Sequence, residues 1–367
     1  MVKNFKLLLF VLGSFAYAQG QDTTKTTALM PAPPDSTKKT SPPVTITGSV
    51  DGYYRYNFNA PKKGAINNYT SFTNSQNSFE LGMASIRADH SFGKVSATAD
   101  LGFGRRAEEF SYNDGIHPTL FAVKQLFVTY SPVSNLKFTA GKWATHFDLE
   151  VPDAYLDRNY SMSYLFSYGP FFHTGLKAEL TAGKSLFMLG VANPTDYSTT
   201  SVPNKYIIAQ FASGTKDDKF KFYLNYQGGK SNDTFRVHAI NLTAIYTFSS
   251  KFNIASNSSV KFLQNKTEGQ WNASQKWWGS ALYLNADPVS WFGWTLRGEY
   301  FDDKENVLGF NGNVFEATVS GRFGVSNLTI IPELRLDNGA KQIFFKSDGI
   351  TTTKNTFSAL LAFVYKF

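Results

Sequence analysis

The chain has 367 residues, 16% of them aromatic, with 34 Phe, 19 Tyr and no Cys, and a formal charge of +8. The missing cysteine excludes disulfides, thiolate metal sites, a cysteine nucleophile and a lipoprotein anchor. Lys and Arg are scattered rather than clustered, so the basic balance describes a solvated surface facing anionic lipopolysaccharide or the periplasm, not a nucleic-acid interface.

At the start, Lys3 and Lys6 precede the apolar run 7–12, and Ala16-Tyr-Ala18 offers a small-x-small cleavage site. Residues 1–18 therefore read as a secretory signal peptide, whose loss would leave a charge of +6. Residues 19–43 are rich in Thr, Pro, Lys and Ser and have almost nothing to bury, which predicts a flexible periplasmic linker. The remaining 324 residues, 44–367, suffice for one large domain. They contain no stretch of 18 apolar residues, and a helical span needs about 20. Any membrane crossing must then be made by strands closed into a barrel, which alone satisfy their backbone in lipid without a helix. The mean hydropathy of −0.25 suits strands that alternate lipid-facing and water-facing residues.

Sixteen alternating segments are legible, with 14 or 18 as alternatives. Long gaps fall at roughly 59–77, 104–120, 144–170, 193–204, 227–234, 265–275, 302–312 and 338–354. Between them lie short gaps at 91–93, 131–135, 183–184, 213–218, 249–250, 287–290 and 324–327. Long and short links in strict alternation predict an all-β, single-chain antiparallel outer-membrane barrel with tight periplasmic turns and long external loops.

Along the chain, Val95, Ala97, Ala99, Leu101 and Phe103 alternate with Ser96, Thr98 and Asp100. Segment 121–130 reads in either parity, because Lys124 spoils one face and Val123 with Phe127 the other. Around Asp287-Pro288, the even positions Trp278, Leu282, Leu284 and Ala286, then Phe292, Trp294, Leu296 and Tyr300, put aromatics at both ends of an aliphatic band. That is the girdle pattern of a bilayer-spanning hairpin. Pro332 cannot donate a ladder hydrogen bond and predicts a local bulge. The last segment puts Phe357, Ala359, Leu361, Phe363, Tyr365 and Phe367 on one face. Phe363, Tyr365 and the terminal Phe367 read as the assembly signal recognised by the barrel assembly machinery. Leu360, Ala362 and Val364 then point inward.

The stretch Arg158-Asn-Tyr-Ser-Met-Ser-Tyr-Leu-Phe-Ser-Tyr-Gly-Pro-Phe-Phe-His-Thr-Gly175 resembles the signature of the putative β-barrel porin-2 family of Bacteroidota outer membranes. Val123-Lys-Gln-Leu-Phe-Val-Thr-Tyr-Ser-Pro132, and Leu136-Lys-Phe-Thr-Ala-Gly-Lys142 running into Glu150-Val-Pro-Asp153, resemble the same family. The resemblance covers most of the barrel and implies a single-chain outer-membrane porin. It brings no substrate and no catalytic residue with it.

Charges on a barrel's lipid face cost about 2–4 kcal/mol near the midplane, so charged strand positions belong to the pore wall. The expected inward bases are Arg55, Arg87, Lys177, Arg297, Arg322 and Arg335; the acids are Asp51, Asp89, Asp100, Glu179, Glu299, Glu316 and Glu333. The two sets nearly cancel, so overall basicity does not license anion selectivity. The third external loop, about 144–170, carries Asp148, Glu150, Asp153, Asp157 and Arg158 together with Tyr155, Leu156, Tyr160, Tyr164, Leu165, Phe166 and Tyr168. It is too apolar for a solvated loop, and 27 residues without strand pattern point to function. The expectation is a constriction loop folded onto the inner wall, its acids facing the inward arginines across the lumen; a surface cap or subunit contact is the alternative.

Enzyme signals are weak. His90, His117, His146, His173 and His238 lack metal-ligand spacing, and His173 lacks a positioned serine. Gly102-Phe-Gly104 ends a strand, is expected to open no helix, and lacks the third glycine of a dinucleotide loop. No catalytic, cofactor or metal residues are assigned. The leading function is a porin for passive diffusion of small hydrophilic solutes, with lipid and lipopolysaccharide as neighbours and a homo-oligomer open. The alternative is a structural or adhesive barrel with a plugged lumen, binding a partner through its external loops.

Overall fold

The computed structural model describes residues 41–62, 64–115 and 118–367. The expected signal peptide (1–18), His117 and all but the last three residues of the expected linker (19–43) lie outside the described residues.

Alternation of apolar and polar side chains gives sixteen wall strands among the described residues. They are β1 (Thr45–Asn57), β2 (Ser78–Phe92), β3 (Val95–Phe103), β4 (Val123–Val133), β5 (Leu136–Ala144), β6 (Phe172–Ala182), β7 (Ser185–Ala192) and β8 (Tyr206–Gly214). There follow β9 (Phe220–Lys230), β10 (Phe235–Ser249), β11 (Phe252–Thr267), β12 (Gln275–Val289), β13 (Phe292–Asp303), β14 (Gly312–Val325), β15 (Leu328–Gly339) and β16 (Asn355–Lys366). Each strand pairs antiparallel with its sequence neighbours, and β1 closes on β16 from Ser49↔Lys366 to Asn57↔Ser358. Closure leaves no open edge to be satisfied in lipid.

The wall is uneven in height. Strands β3 to β9 run 8 to 11 residues, whereas β10 to β16 with β1 and β2 run 12 to 16. About 9–11 tilted residues cross a bilayer, so the longer strands project beyond it. The outward positions are apolar: Leu126, Leu189, Leu282, Leu296, Val319 and Leu334 are all exposed. In the Trp278/Tyr300 hairpin the even positions face outward, while Trp277, Tyr283, Arg297 and Glu299 face inward and are buried.

Three local expectations resolve physically. Segment 121–130 fits neither parity because β4 carries a bulge: Val123 faces Leu101 and Gln125 faces Asp100 of β3, leaving Lys124 as the extra residue. Lys124 and Gln125 are then both buried inside. At Pro332 the expected bulge is absent. The register is the same on both sides, Ser320↔Glu333 and Phe323↔Ile330, and Pro332 keeps its place opposite Leu361 of β16. A helix also follows Gly102-Phe-Gly104, contrary to expectation. It is α1 (Arg105–Phe110), entered through Gly104 at φ 116°, a conformation that glycine adopts most easily.

The lumen is where most of the core lies. Residues 58–77, α1 and the segment 145–171, called loop 3 below, fold inward between the walls. Tyr164, Leu165 and Phe310 pack on Trp277, Tyr283 and Phe301, while Phe72, Phe110, Met162, Phe166, Phe171 and Phe172 form a second cluster. Leu360, Ala362 and Val364 point inward as expected. Their apolar patch is covered by Ala154, Tyr155 and Tyr160 of loop 3, together with Tyr53 and Ile331. Each fully buried aromatic contributes about 1.5–3 kcal/mol by leaving water, which holds an otherwise irregular segment in place.

Candidate functional site

Loop 3 leaves β5 and returns to β6 through one closed rung, where the Thr145 N–H donates to the Phe171 carbonyl at 3.0 Å. Between these ends it crosses the lumen. On the β8–β10 side, Gln210 Nε2 donates to the His146 carbonyl at 3.4 Å and the Asp148 N–H to Asn241 Oδ1 at 3.4 Å. Asp148 sits at φ 75°, and its carboxylate accepts from the Leu149 and Glu150 N–H groups at 2.6 and 3.2 Å. That local bonding offsets the left-handed backbone, for which Asp is among the more tolerant residues.

On the opposite side the loop is fastened by charge. Arg297 Nη1 of β13 donates to Glu150 at 2.6 Å and to the Ser161 carbonyl at 2.7 Å, and its Nε reaches Glu316 of β14 at 3.0 Å. Arg335 of β15 lies 3.9 Å from Glu316 and 2.8 Å from Asp337, and donates to the Met162 carbonyl at 2.7 Å. Glu333 accepts from the Tyr160 N–H at 2.8 Å and from Ser320 at 2.8 Å. Asp51 of β1 accepts from the Tyr160 hydroxyl at 2.5 Å. Glu299 takes the N–H groups of Tyr164 and Leu165, each at 2.7 Å, at the start of α2 (Tyr164–Tyr168). Ser163 caps that helix by accepting from the Phe166 N–H at 3.1 Å.

The other predicted residues have different partners. Asp153 meets Lys124 of the β4 bulge, whose ammonium also lies 3.1 Å from Asp100. Asp157 accepts from the Val151 N–H at 3.0 Å, and its backbone carbonyl is taken by Arg322 of β14. Arg158 reaches down to Asp287 near the β12–β13 turn at 2.8 Å and donates to Thr295 at 2.7 Å. Arg55 donates to the Ser75 and Asn67 carbonyls of loop 58–77 at 2.9 and 2.8 Å. Arg87 pairs with Asp89 at 2.7 Å, and Lys177 with Glu179 at 3.4 Å.

Loop acids facing inward arginines across an open gap is therefore not the arrangement found. Of that set, Glu150 and Arg297 meet at contact distance, while Asp148 and Asp157 bind their own loop's backbone. The reason is desolvation. Arg297 and Glu316 are fully buried, and in such surroundings an uncompensated charge costs several kcal/mol, so opposite charges close up instead of facing each other across a void.

Several participants escaped the sequence reading. Lys124 hides in a bulge, and Asp287 lies at a turn end. On the β8–β11 wall a chain of amides runs from Gln210 to Asn225 at 2.7 Å, to Asn241 at 2.7 Å and to Asn257 at 2.6 Å. An inward amide on each of four consecutive strands was the available signal. His173 has Thr145, not a serine, at 3.3 Å and the His146 ring at 4.9 Å. At the end of β16, Phe363, Tyr365 and Phe367 are exposed on the outer face. Phe367 exchanges two backbone hydrogen bonds with Gly48 of β1, each 2.9 Å.

Below loop 3, at the short-turn end, lies a cavity of about 1070 Å³. Its roof is Leu149, Glu150 and residues 155–159, and its walls include Asn253, Tyr283, Asn285, Trp291 and Phe292. The short-turn end of such a barrel is periplasmic. The cavity is a vestibule that ends at loop 3.

A closed barrel of sixteen strands, long loops at one end, tight turns at the other and a third loop lodged in the lumen define an outer-membrane porin-type β-barrel. The chain belongs to the family described as putative β-barrel porin-2, OmpL-like, whose model matches residues 43–367. Among curated proteins, none matches the chain. Solved structures share the fold at low identity. The anion-selective porin from Comamonas acidovorans is 13% identical, with 89% of this chain and 99% of that chain covered at a TM-score of 0.59. The outer-membrane expressed OmpT of Vibrio cholerae is 9% identical, covering 88% and 97% at 0.57. The outer-membrane channel DcaP of Acinetobacter baumannii is 12% identical, covering 88% and 97% at 0.56. Family and fold point to a channel rather than an enzyme, and to an outer-membrane location.

Proposed function

We propose that the protein lets small hydrophilic solutes diffuse passively through its lumen, with loop 3 as the restricting element. The observation that carries this reading is the insertion of loop 3 between opposite walls above a periplasmic vestibule. Sixteen strands enclose enough space for an aqueous channel when the interior is not filled by side chains. Here the inserted segments take up much of that space, so conductance is small and its size depends on how firmly loop 3 is held. The Arg158–Asp287 strap is the most accessible of its fasteners, with both side chains partly exposed.

The test is single-channel recording in planar bilayers. Wild type should give small discrete openings, and Arg158→Ala or Asp287→Ala should raise the conductance of a properly folded barrel. The second reading, a plugged barrel that binds a partner through its external loops, is favoured by the burial of Arg297, Glu316, Asn241 and Asn257 on the inner wall. Complete absence of current in wild type and in both variants would select it.

A further inference from the structure

We propose that the periplasmic vestibule is a subsite for small uncharged polyhydroxylated molecules, sugars above all, in preference to ions; this deepens the channel reading and rests on it. The charges around the cavity balance. Arg158, Lys251, Arg322 and Lys366 line it as bases; Glu150, Asp157 and Asp287 line it as acids, and a fourth anion is the terminal carboxylate beside Lys366. Arg158 is bound to Asp287 at 2.8 Å, and Arg322 lies on the backbone carbonyl of Asp157. Arg297 is shared between Glu150 at 2.6 Å and Glu316 at 3.0 Å. One guanidinium thus serves two carboxylates, which offsets the exposed Lys251. An ion entering such a space gives up hydration and finds no net opposite charge in return, a cost that an uncharged solute does not meet.

What else lines the wall suits hydroxyl groups. Inward positions of β10, β11, β12 and β15 supply Thr247, Asn253, Asn285 and Thr329. Asn253 accepts from Asn285 Nδ2 at 2.8 Å, and Asn285 accepts from Thr295 at 2.9 Å. This order of bonding fixes both amides and leaves Asn253 Nδ2 as a donor for the cavity. Arg158 and Asp287 meet as a two-bonded fork at 3.0 and 2.8 Å, with side chains 27% and 46% exposed. Such a pair presents charge-assisted donors and acceptors side by side. A solute hydroxyl both donates and accepts, so it needs partners of both kinds. Tyr155 in the roof, with Leu149, Leu156 and Ile245, adds apolar surface for the C–H faces of a sugar ring. Apolar walls with a few placed polar groups are the usual make-up of a small-molecule site.

Liposome swelling with three probes of matched size tests the idea on the full-length folded protein: glucose, gluconate and glucosamine. Wild type should admit glucose severalfold faster than either ion. Asn253→Leu should lower the glucose rate severalfold and leave the two ions unchanged. Thr247→Val combined with Thr329→Val should do the same while keeping the Asn253–Asn285 bond, which separates lost recognition from lost folding. Asn253→Asp leaves one carboxylate unbalanced and should raise glucosamine over gluconate. Asn232→Leu, at an exposed external turn, should change none of the rates. Equal rates for the three probes in wild type, a faster rate for either ion, or a glucose preference untouched by the vestibule variants would overturn the proposal.

If glucose does not enter at all, the channel reading fails and the subsite is tested separately. Saturation-transfer NMR on the folded protein in detergent should show transfer to glucose protons, weaker transfer to gluconate and glucosamine, and none to glucose in the Thr247/Thr329 double variant. No transfer to glucose in wild type would dispose of the subsite as well.

Discussion

Arg297 shows what an inward charge does in this barrel. It joins Glu150 of the loop to Glu316 of the wall, and all three are shielded from water. Removing one member of such a set leaves a buried charge without its partner, which costs about 3–5 kcal/mol. Glu150→Gln should therefore loosen loop 3 markedly while the barrel stays closed, raising conductance without abolishing heat-modifiable migration on a gel. Gly48 makes the opposite point, that a missing side chain can matter as much. A Cβ there would lie 2.5 Å from the Phe367 ring and 2.6 Å from the Ser85 carbonyl oxygen. Gly48→Val should lower the yield of folded barrel, as should Phe367→Asp, because both disturb the same closing rung. Normal yields from both would show that closure does not depend on that contact. Inward parity was readable for Arg297 from the sequence, but Lys124 was not, since alternation has no place for an extra residue.

At the scale of elements, loop 3 carries titrating groups that oppose one another. Burial, and then the neighbouring Glu150, pushes the Asp148 carboxyl up to about 7 and Asp157 well above the usual carboxylate range. Burial pushes His146 down to about 3. A raised carboxyl favours the packed loop fully below its solvated value, near 4, and that contribution is lost as pH rises through the packed value. A lowered imidazole acts the other way, and its contribution is lost as pH falls below about 6.5. Below 6.5 the single imidazole offsets only one of the two carboxyls; above it only the carboxyls titrate. Packing should thus weaken, and conductance rise, as pH climbs from about 4, and more steeply once it passes about 6.5. The rise should be flat in the Asp148→Asn, Asp157→Asn double variant, and a persisting slope there would assign it to other groups. The length and aromatic content of this loop were legible in the sequence. Its partners were not, because Tyr164 and Glu299, or Tyr160 and Glu333, are joined only by closure of the barrel.

For the whole molecule, strand number and strand-to-loop alternation could be read locally, since each hairpin repeats the same two-residue period. What fills the lumen could not, and this bears on whether loop 3 is an insert in a self-sufficient barrel or part of its core. Two observations favour the insert. The sheet closes on itself through β1 and β16 without any loop residue, and the loop's ends already meet in the Thr145–Phe171 rung. Replacing residues 146–170 by a two-residue Gly-Ser link is thus geometrically feasible. It would uncover Arg297, Glu299, Glu316, Glu333 and Arg335 together. Those charges would then be solvated by lumen water rather than stranded in an apolar medium, so the cost falls well below that of the single substitution Glu150→Gln. The apolar patches of Trp277 with Phe301, and of Leu360 with Ala362, would also meet water, at about 25 cal/mol per Å² exposed. The shortened protein should still migrate as a heat-modifiable barrel, melt at a lower temperature and conduct much more current than wild type. Failure to recover any folded barrel would show that loop 3 completes the core and that the sheet alone is not enough.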